Sequence, residues 1–401
     1  MNTYKVADIN ADSRFTDVVF LDKSFLLLDP IVPFTSSLKT LLSKWYFTDV
    51  FSNGILRTVQ EDTSVEYEEE EPKPITILAD VITNANRETE EAGDNEQKRL
   101  EIAQNVFDTY LKYITAVYTR YATNKTFEKE DISSAMQDLI AYIKANKKYI
   151  LRITPPQKNI AKDFLVLHSM RSTVIAITVG MEMRLSMSRL SELAVSCLLH
   201  EIGMLRLPPQ LYITDKPLTV YERTKMKTHP LIGYQILKAA EFSGNILGGV
   251  LQHHENESGT GYPQGLTGEK ISMYAKIISV ACTFEAITAE REHKEARSSY
   301  EAMIEMMRNE SKAFSTDVIM ALIRCMGMFP IGAYVYLING KVAQVVDVVP
   351  GAPRAPIVQL VNENTEDGRP VKIQTNDTDL KIMRVLNKNE VKDIIGVIDK
   401  K

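Results

Sequence analysis

The chain has 401 residues, 44% of them hydrophobic, which is enough to bury cores in about two to four domains. A net charge of −5 leaves no whole-chain basic field, which argues against duplex nucleic acid as the main partner. Three widely spaced cysteines (Cys197, Cys282, Cys325) with no CxxC point to a reducing compartment without structural disulfides.

The first residues, MNTYKVADINADSRF, hold acids and no apolar h-region, so no secretory signal is expected. No window of about 18 uninterrupted apolar residues occurs, so no membrane span is expected, and the expected location is the cytoplasm.

Residues 1–58 read as a small α+β unit. Val18-Val19-Phe20-Leu21 and Phe25-Leu26-Leu27-Leu28 flank Asp22-Lys23-Ser24, the pattern of a hairpin. Pro33 and Ser36-Ser37 then open a helical spacing through Leu38, Leu41, Leu42 and Trp45. Trp45 reads as core packing rather than a ligand contact.

The texture changes over 59–98. Seven acids (Glu61, Asp62, Glu66, Glu68, Glu69, Glu70, Glu71) precede the first base, Lys73, and Pro72 and Pro74 bracket it. Such a run repels itself and buries little, so 59–98 reads as an acidic flexible linker, with acidic docking as the alternative.

Residues 99–155 read as a helical pair. Leu100, Ala103, Val106, Phe107, Tyr110, Leu111, Ile114, Val117 and Tyr118 mark the apolar face of a long helix. Ile132, Met136, Leu139, Ile140 and Ile143 mark a second. Both read as packing elements, with a homodimer contact as the alternative.

Residues 156–329 are helical in pattern and hold all the candidate chemistry. Residues 330–401 read as a small β-rich appendage. There Asn339-Gly340 lies between Ala333–Ile338 and Lys341–Val349 and signals a type I′ hairpin, and Ile357–Val361 adds a strand. No internal repeat is evident.

Five of the six histidines fall between 168 and 254. Neutral imidazole is the commonest protein ligand for catalytic divalent metals, so the crowding points to a metal site. His200 and Glu201 lie in a helical pattern near 190–205, about 100° apart around a helix axis. Leu193, Ala194, Cys197 and Leu198 make that helix apolar, so the carboxylate needs a partner, and a cation supplies one. The alternative is a helix-end Glu capped by solvent. His253-His254-Glu255 follows the apolar run Ile246–Leu251. One histidine there would read as a core residue, but two beside a carboxylate read as ligands.

His229 precedes Pro230, which favours the first turn of a helix. His168 opens a segment continuing Ser169-Met170-Arg171. Each of these two has a structural reading by itself, yet the set supplies imidazoles and a carboxylate for two metals. After Glu255, a glycine-rich loop with Gly259 and Gly261 ends in Gly-Tyr-Pro (Gly261, Tyr262, Pro263).

The order His168…His200-Glu201…His229-Pro230…His253-His254-Glu255…Gly261-Tyr262-Pro263 resembles the HD-GYP family, a branch of the HD metal-dependent phosphohydrolases. The resemblance covers about residues 160–330, including KTHPLIG (227–233) and GTGYPQGL (259–266); 329–361 resembles the family's β tail, and the first 150 residues match less clearly. It implies a mainly α fold, an HD-type helical bundle with a small α+β N-terminal unit and a small β C-terminal appendage.

It also implies hydrolysis of cyclic di-GMP, to the linear dinucleotide and/or GMP, in bacterial second-messenger signalling. The family's site is a bridged cluster of divalent ions, usually iron or manganese, here one or two per chain. One metal would take His168, His200, Glu201 and position 282; the other would take Glu201 as the bridge with His229, His253 and His254. Hydroxide attacks phosphorus in line at His200 and Glu201 while the metals offset phosphoryl charge. Arg291 and Lys294 fall where the family holds the ligand's phosphates, although by residue type alone they read as a solvated helix face. Gly261, Tyr262 and Pro263 would line the ligand or a protein partner.

Three positions depart from the family. Its His-Asp is His200-Glu201, the lysine three residues after the acid is Met204, and the aspartate of its Val-Ala-Asp is Cys282. Thiolate favours softer ions than a bridged oxygen-rich site holds, and an inert buried thiol is the alternative for Cys282. The expectation is a working phosphodiesterase with at least one metal at the intact His229/His253/His254 set. The first alternative is a degenerate module that binds cyclic di-GMP or a partner protein without hydrolysis. The second is an HD-type phosphohydrolase acting on another phosphate ester.

Overall fold

The computed structural model describes residues 2–11, 13–21, 26–28, 33–44, 47–57, 74–93, 95–153, 164–213, 217–289, 298–309, 312–349, 351–387 and 390–391. Two units divide the chain, Met1–Lys73 and Pro74–Lys401. The first holds β1 (Asn2–Lys5), β2 (Arg14–Phe15), β3 (Val19–Phe20), β4 (Leu26–Leu28), α1 (Ser36–Lys44), β5 (Asp49–Ser52) and β6 (Leu56–Arg57). A sheet of order β1-β5-β3-β4 packs around Val6, Ile9, Phe15, Val19, Phe34, Leu42 and Val50. The expected hairpin is present, with Val19 opposite Leu28; its turn and Trp45 lie outside the described residues.

The second unit begins with a helix that the linker reading did not foresee, α2 (Pro74–Ala92). Leu78, Ile82 and Ala85 recur at helical spacing and are buried, and this stripe outweighs the acids on the remaining faces. The acidic run 59–73 lies outside the described residues. Next come α3 (Glu96–Asn124), capped where the Asn95 side chain accepts from Lys98 N at 3.1 Å, and α4 (Lys129–Ile150).

The helices of the candidate site follow: α5 (Phe164–Glu182), α6 (Met187–Leu198), a 3-10 turn (Ile202–Arg206), α7 (Gln210–Ile213), α8 (Val220–Met226), α9 (His229–Ala239) and α10 (Gly244–Gln252). After a second 3-10 turn (Gly268–Lys270) come α11 (Met273–Thr288), α12 (Ser299–Arg308) and α13 (Thr316–Met326). A single apolar cluster runs from Leu78 to Met328, so α2–α4 share the core of α5–α13. The α5 helix is long and apolar enough to cross a membrane, but 78% of its apolar window is buried against its neighbours, as in the central helix of a bundle. The fold is mainly α.

Tyr118 of α3 ties this core to the chemistry. Its hydroxyl meets Ser169 Oγ of α5 at 3.0 Å and donates to the carbonyl of Leu198, the last residue of α6, at 2.9 Å.

The C-terminal strands β7 (Tyr334–Leu337), β8 (Val342–Asp347), β9 (Ile357–Asn364), β10 (Pro370–Gln374) and β11 (Ile382–Val385) form an antiparallel sheet of order β10-β9-β8-β7-β11. It has its own apolar cluster around Val335, Leu337, Val345 and Val358. The expected hairpin joins β7 and β8, but its turn is not type I′. Only Gly340 (φ +83°) of the Asn-Gly pair is left-handed, Gly340 N bonds Leu337 O at 3.0 Å, and Leu337 N bonds Lys341 O at 2.9 Å. That is the three-residue loop in which glycine closes a bulge.

Candidate metal centre

The helical pattern expected over 190–205 breaks just where the chemistry begins. The α6 helix ends at Leu198, and His200 and Glu201 occupy the turn before the 3-10 segment, not neighbouring positions on one helix. Two contacts hold this turn. His200 Nδ1 donates to Cys197 O at 2.5 Å, and Gly203 lies so close to α9 that a Cβ there would stand 2.0 Å from His229 O and 2.7 Å from Gly233 N. A side chain at 203 would therefore push α9, and His229 with it, away from Glu201. Met204, three residues after Glu201, is buried in the main apolar core.

Three of the five histidines are aimed by the same local device. His200, His229 and His253 each bond a backbone carbonyl three residues earlier through Nδ1: Cys197, Met226 (2.8 Å) and Val250 (2.8 Å). With Nδ1 as the donor, Nε2 carries the free lone pair and faces inward. His168 sits inside α5, where nearby carbonyls serve the helix ladder, and takes a distant partner instead. Its Nδ1 meets Glu285 Oε2 of α11 at 2.5 Å, and Arg171, one turn on along α5, holds the other oxygen of Glu285 at 3.3 Å.

The donor atoms gather into two groups, each with all its atoms within 4.8 Å of one another: Glu201, His229, His253 and His254, and His168, His200 and Glu201. Glu201 belongs to both. Its Oε1 lies 3.7 Å from His200 Nε2 and its Oε2 lies 3.5 Å from His229 Nε2, while His229 and His253 bring their Nε2 atoms to 3.2 Å. His200 Nε2 and Glu201 Oε2 are buried without any hydrogen-bond partner. An orphaned imidazole nitrogen beside an orphaned carboxylate oxygen is costly in a folded core, and a cation between them removes that cost.

The protonation states suit such a cation. Burial, reinforced by neighbouring imidazoles, pushes His254 down to about 3 and His253 well below the ordinary range. Burial also pushes His200 down to about 4, against the pull of Glu201. Burial works against the charge on Glu201, but the surrounding imidazoles, His229 foremost, draw it down to about 2. Neutral imidazoles around an ionised carboxylate form the donor set of a borderline divalent ion.

Cys282, expected as a ligand in the place of an aspartate, is in neither group. Its thiol bonds Ser279 O on its own helix at 3.4 Å, and burial raises its pKa. The acid on this face is Glu285, one turn further along α11 and 2% exposed, a residue the sequence reading passed over. Its available signal was position: an acid three residues after Cys282 on an otherwise apolar face.

The Gly-Tyr-Pro loop closes one side. Tyr262 stacks on His254, ring centres 4.6 Å apart, and the Tyr262–Pro263 peptide is cis. Gly259 takes φ +76°, and Gly261 packs against the ligand strand so tightly that a Cβ would stand 2.5 Å from His254 O. Glu255 is not a ligand. Its two oxygens accept from Gln264 N (2.6 Å) and Leu266 N (2.8 Å) and so brace the loop. Arg291 and Lys294 lie outside the described residues.

Residues 157–318 match the family model described as HD domain. Curated relatives are similar over comparable or longer stretches. Cyclic di-GMP phosphodiesterase PdeB of Borreliella burgdorferi is 29% identical over 238 residues, 58% of this chain and 62% of that protein. A cyclic di-GMP phosphodiesterase of Pseudomonas aeruginosa is 30% identical over 186 residues, 46% of this chain and 45% of it. Residues 157–318 form an HD domain. The response regulator RpfG of Xanthomonas campestris pv. campestris, also named a cyclic di-GMP phosphodiesterase, is 31% identical over 156 residues, 38% of this chain and 41% of it. The chain thus spans less than two thirds of the length of each of these relatives. An HD domain implies divalent metal, and this one presents a buried His/Glu cluster that could hold it.

Proposed function

We propose that the chain is a metal-dependent phosphodiesterase that opens cyclic di-GMP to the linear dinucleotide and/or GMP. The observation that carries this reading is the carboxylate of Glu201, shared by two imidazole groups and left with an unpartnered oxygen beside an unpartnered His200 nitrogen. His229, His253 and His254 with Glu201 would hold one divalent ion, and His168 and His200 with Glu201 a second, with iron or manganese as the expected metals. Bound there, such ions lower the pKa of water and offset negative charge on phosphoryl oxygens.

The chain's own residues do the rest. Glu285 and the three backbone carbonyls fix the imidazole tautomers, the buried rings keep bulk water out, and Glu201 remains an anion that organises both groups. Tyr262, with Gly261 and Pro263, would offer the ligand a wall on the His254 side, and Arg291 and Lys294 would meet its phosphates. The three free, buried cysteines support action in a reducing cytoplasm.

The second reading is a receptor that binds the nucleotide, or a partner protein through the Gly-Tyr-Pro loop, without cleaving it. The withdrawn thiol of Cys282 favours it, because one group is left with three donors. One assay separates the two. Manganese- or iron-loaded protein is incubated with cyclic di-GMP and products are followed chromatographically, with His253→Ala as the control. Product from the wild type and none from the variant is expected. Binding without product, even at high enzyme, overturns the phosphodiesterase and leaves the receptor.

A further inference from the structure

We propose that Lys227 grips a phosphate of the ligand at the rim of the metal centre, held there by the ring of Tyr262. This rests on the proposed function, whose ligand is a phosphodiester anion. Lys227 is exposed, caps the end of α8 and stands two residues before His229. Its ammonium lies 5.2 Å from the centre of the Tyr262 ring, and that ring in turn lies on His254. The charge is therefore tethered beside the four-donor group rather than free in solvent.

Three other cations of the domain are already engaged. Arg171 is held by Glu285 at 3.3 Å, Lys276 by Glu257 at 2.9 Å, and Arg206 bonds the Tyr121 hydroxyl at 2.9 Å. Lys227 has no carboxylate within ion-pair distance among the described residues. Met204, three residues after Glu201, brings no charge and is absorbed into the core. A cation resting on an aromatic face without a counter-ion is weakly held, so a phosphate oxygen can draw it off the ring while the ring keeps it within reach. Lysine suits this role as a mobile point charge with three donors.

The test uses the full chain loaded with manganese, as wild type, Lys227→Met and Lys227→Arg. Metal content is measured by elemental analysis, and binding by calorimetry at two salt concentrations. The probes are cyclic di-GMP and, separately, inorganic phosphate. Lys227→Met is expected to bind each probe about tenfold more weakly with a flatter salt dependence, the effect of losing one charge-assisted phosphate contact. Its metal content stays at the wild-type value, and Lys227→Arg retains most of the affinity. Wild-type affinity and salt dependence in Lys227→Met, for whichever anion the wild type takes, overturns the proposal. If the wild type takes phosphate but not cyclic di-GMP, the proposed substrate fails and Lys227 is still judged on phosphate. If the wild type takes neither, both readings fall.

Discussion

The two ligand groups share one carboxylate and differ in what holds the rest of each. In the four-donor group, His229 and His253 are aimed by carbonyls three residues back, and His254 is pressed between His253, His229 and Tyr262. In the three-donor group, His200 uses the same local device, but His168 depends on Glu285, 117 residues away and itself steadied by Arg171. A histidine at a helix end finds a spare carbonyl; one inside a helix needs an acid from another element. The first group is therefore built by local chain geometry, and the second by tertiary packing with one donor fewer. The difference predicts unequal metal occupancy.

Removing the shared residue should erase the comparison. Glu201→Ala, purified from iron- or manganese-supplemented cells, is expected to hold under about 0.2 equivalents of metal by elemental analysis, because neither group keeps an anion. Retention of a full equivalent would show that imidazoles alone suffice. Splitting the groups comes next. His229→Ala should lose the tightly held ion, whereas His168→Ala should keep about one equivalent after dialysis against a weak chelator. Equal loss from both variants would mean that the groups fill only together.

A finer probe is the acid behind His168. Glu285→Gln should weaken metal binding in the three-donor group by about 10- to 100-fold and leave the other unchanged, as read by competitive chelation. A uniform loss in both would mark Glu285 as a general structural residue.

The smallest effect is the acid sensitivity of the metal-free protein. Burial holds His200 near 4 and His254 near 3 against an ordinary 6.5, so between those limits the unfolded chain binds more protons than the folded one. Stability is then full above about 6.5, falls as pH drops toward 4, and levels off below the folded values. Urea midpoints across that window, with chelator present, should track this slope. His200→Gln and His254→Gln should each flatten part of it, which apportions the penalty between the two groups. A flat wild-type profile would contradict neutral burial of either ring.

Much of the four-donor group could be read from the chain, because its determinants are close in sequence. Pro230 announces the helix that begins at His229, and the apolar run Ile246–Leu251 delivers His253 to a helix end. The division of donors around Glu201 comes from the family resemblance, not from local pattern. What escaped was tertiary. Glu285 reads as an ordinary helix acid until α11 is laid against α5, whereas the inert buried thiol is already the commoner reading of Cys282 by residue type, and its bond within its own helix agrees with that. The turn at His200 and Glu201 escaped because Gly203 owes its place to α9, about thirty residues later, and helical periodicity does not register a close approach of backbones. The Pro74–Ala92 helix was hidden by its acids, since four buried positions, Leu78, Ile82, Ala85 and Ala92, are a faint stripe in a charged sequence.

Glu255 spends both carboxylate oxygens on backbone N–H groups of the Gly-Tyr-Pro loop and none on the ligand cluster. The loop is thus cross-braced from within the protein, and its shape does not wait on the ions beside it. A loop held in this way has little conformational freedom left to lose on meeting any ligand. The groups that brace the loop and the groups that would hold the ions are separate side chains.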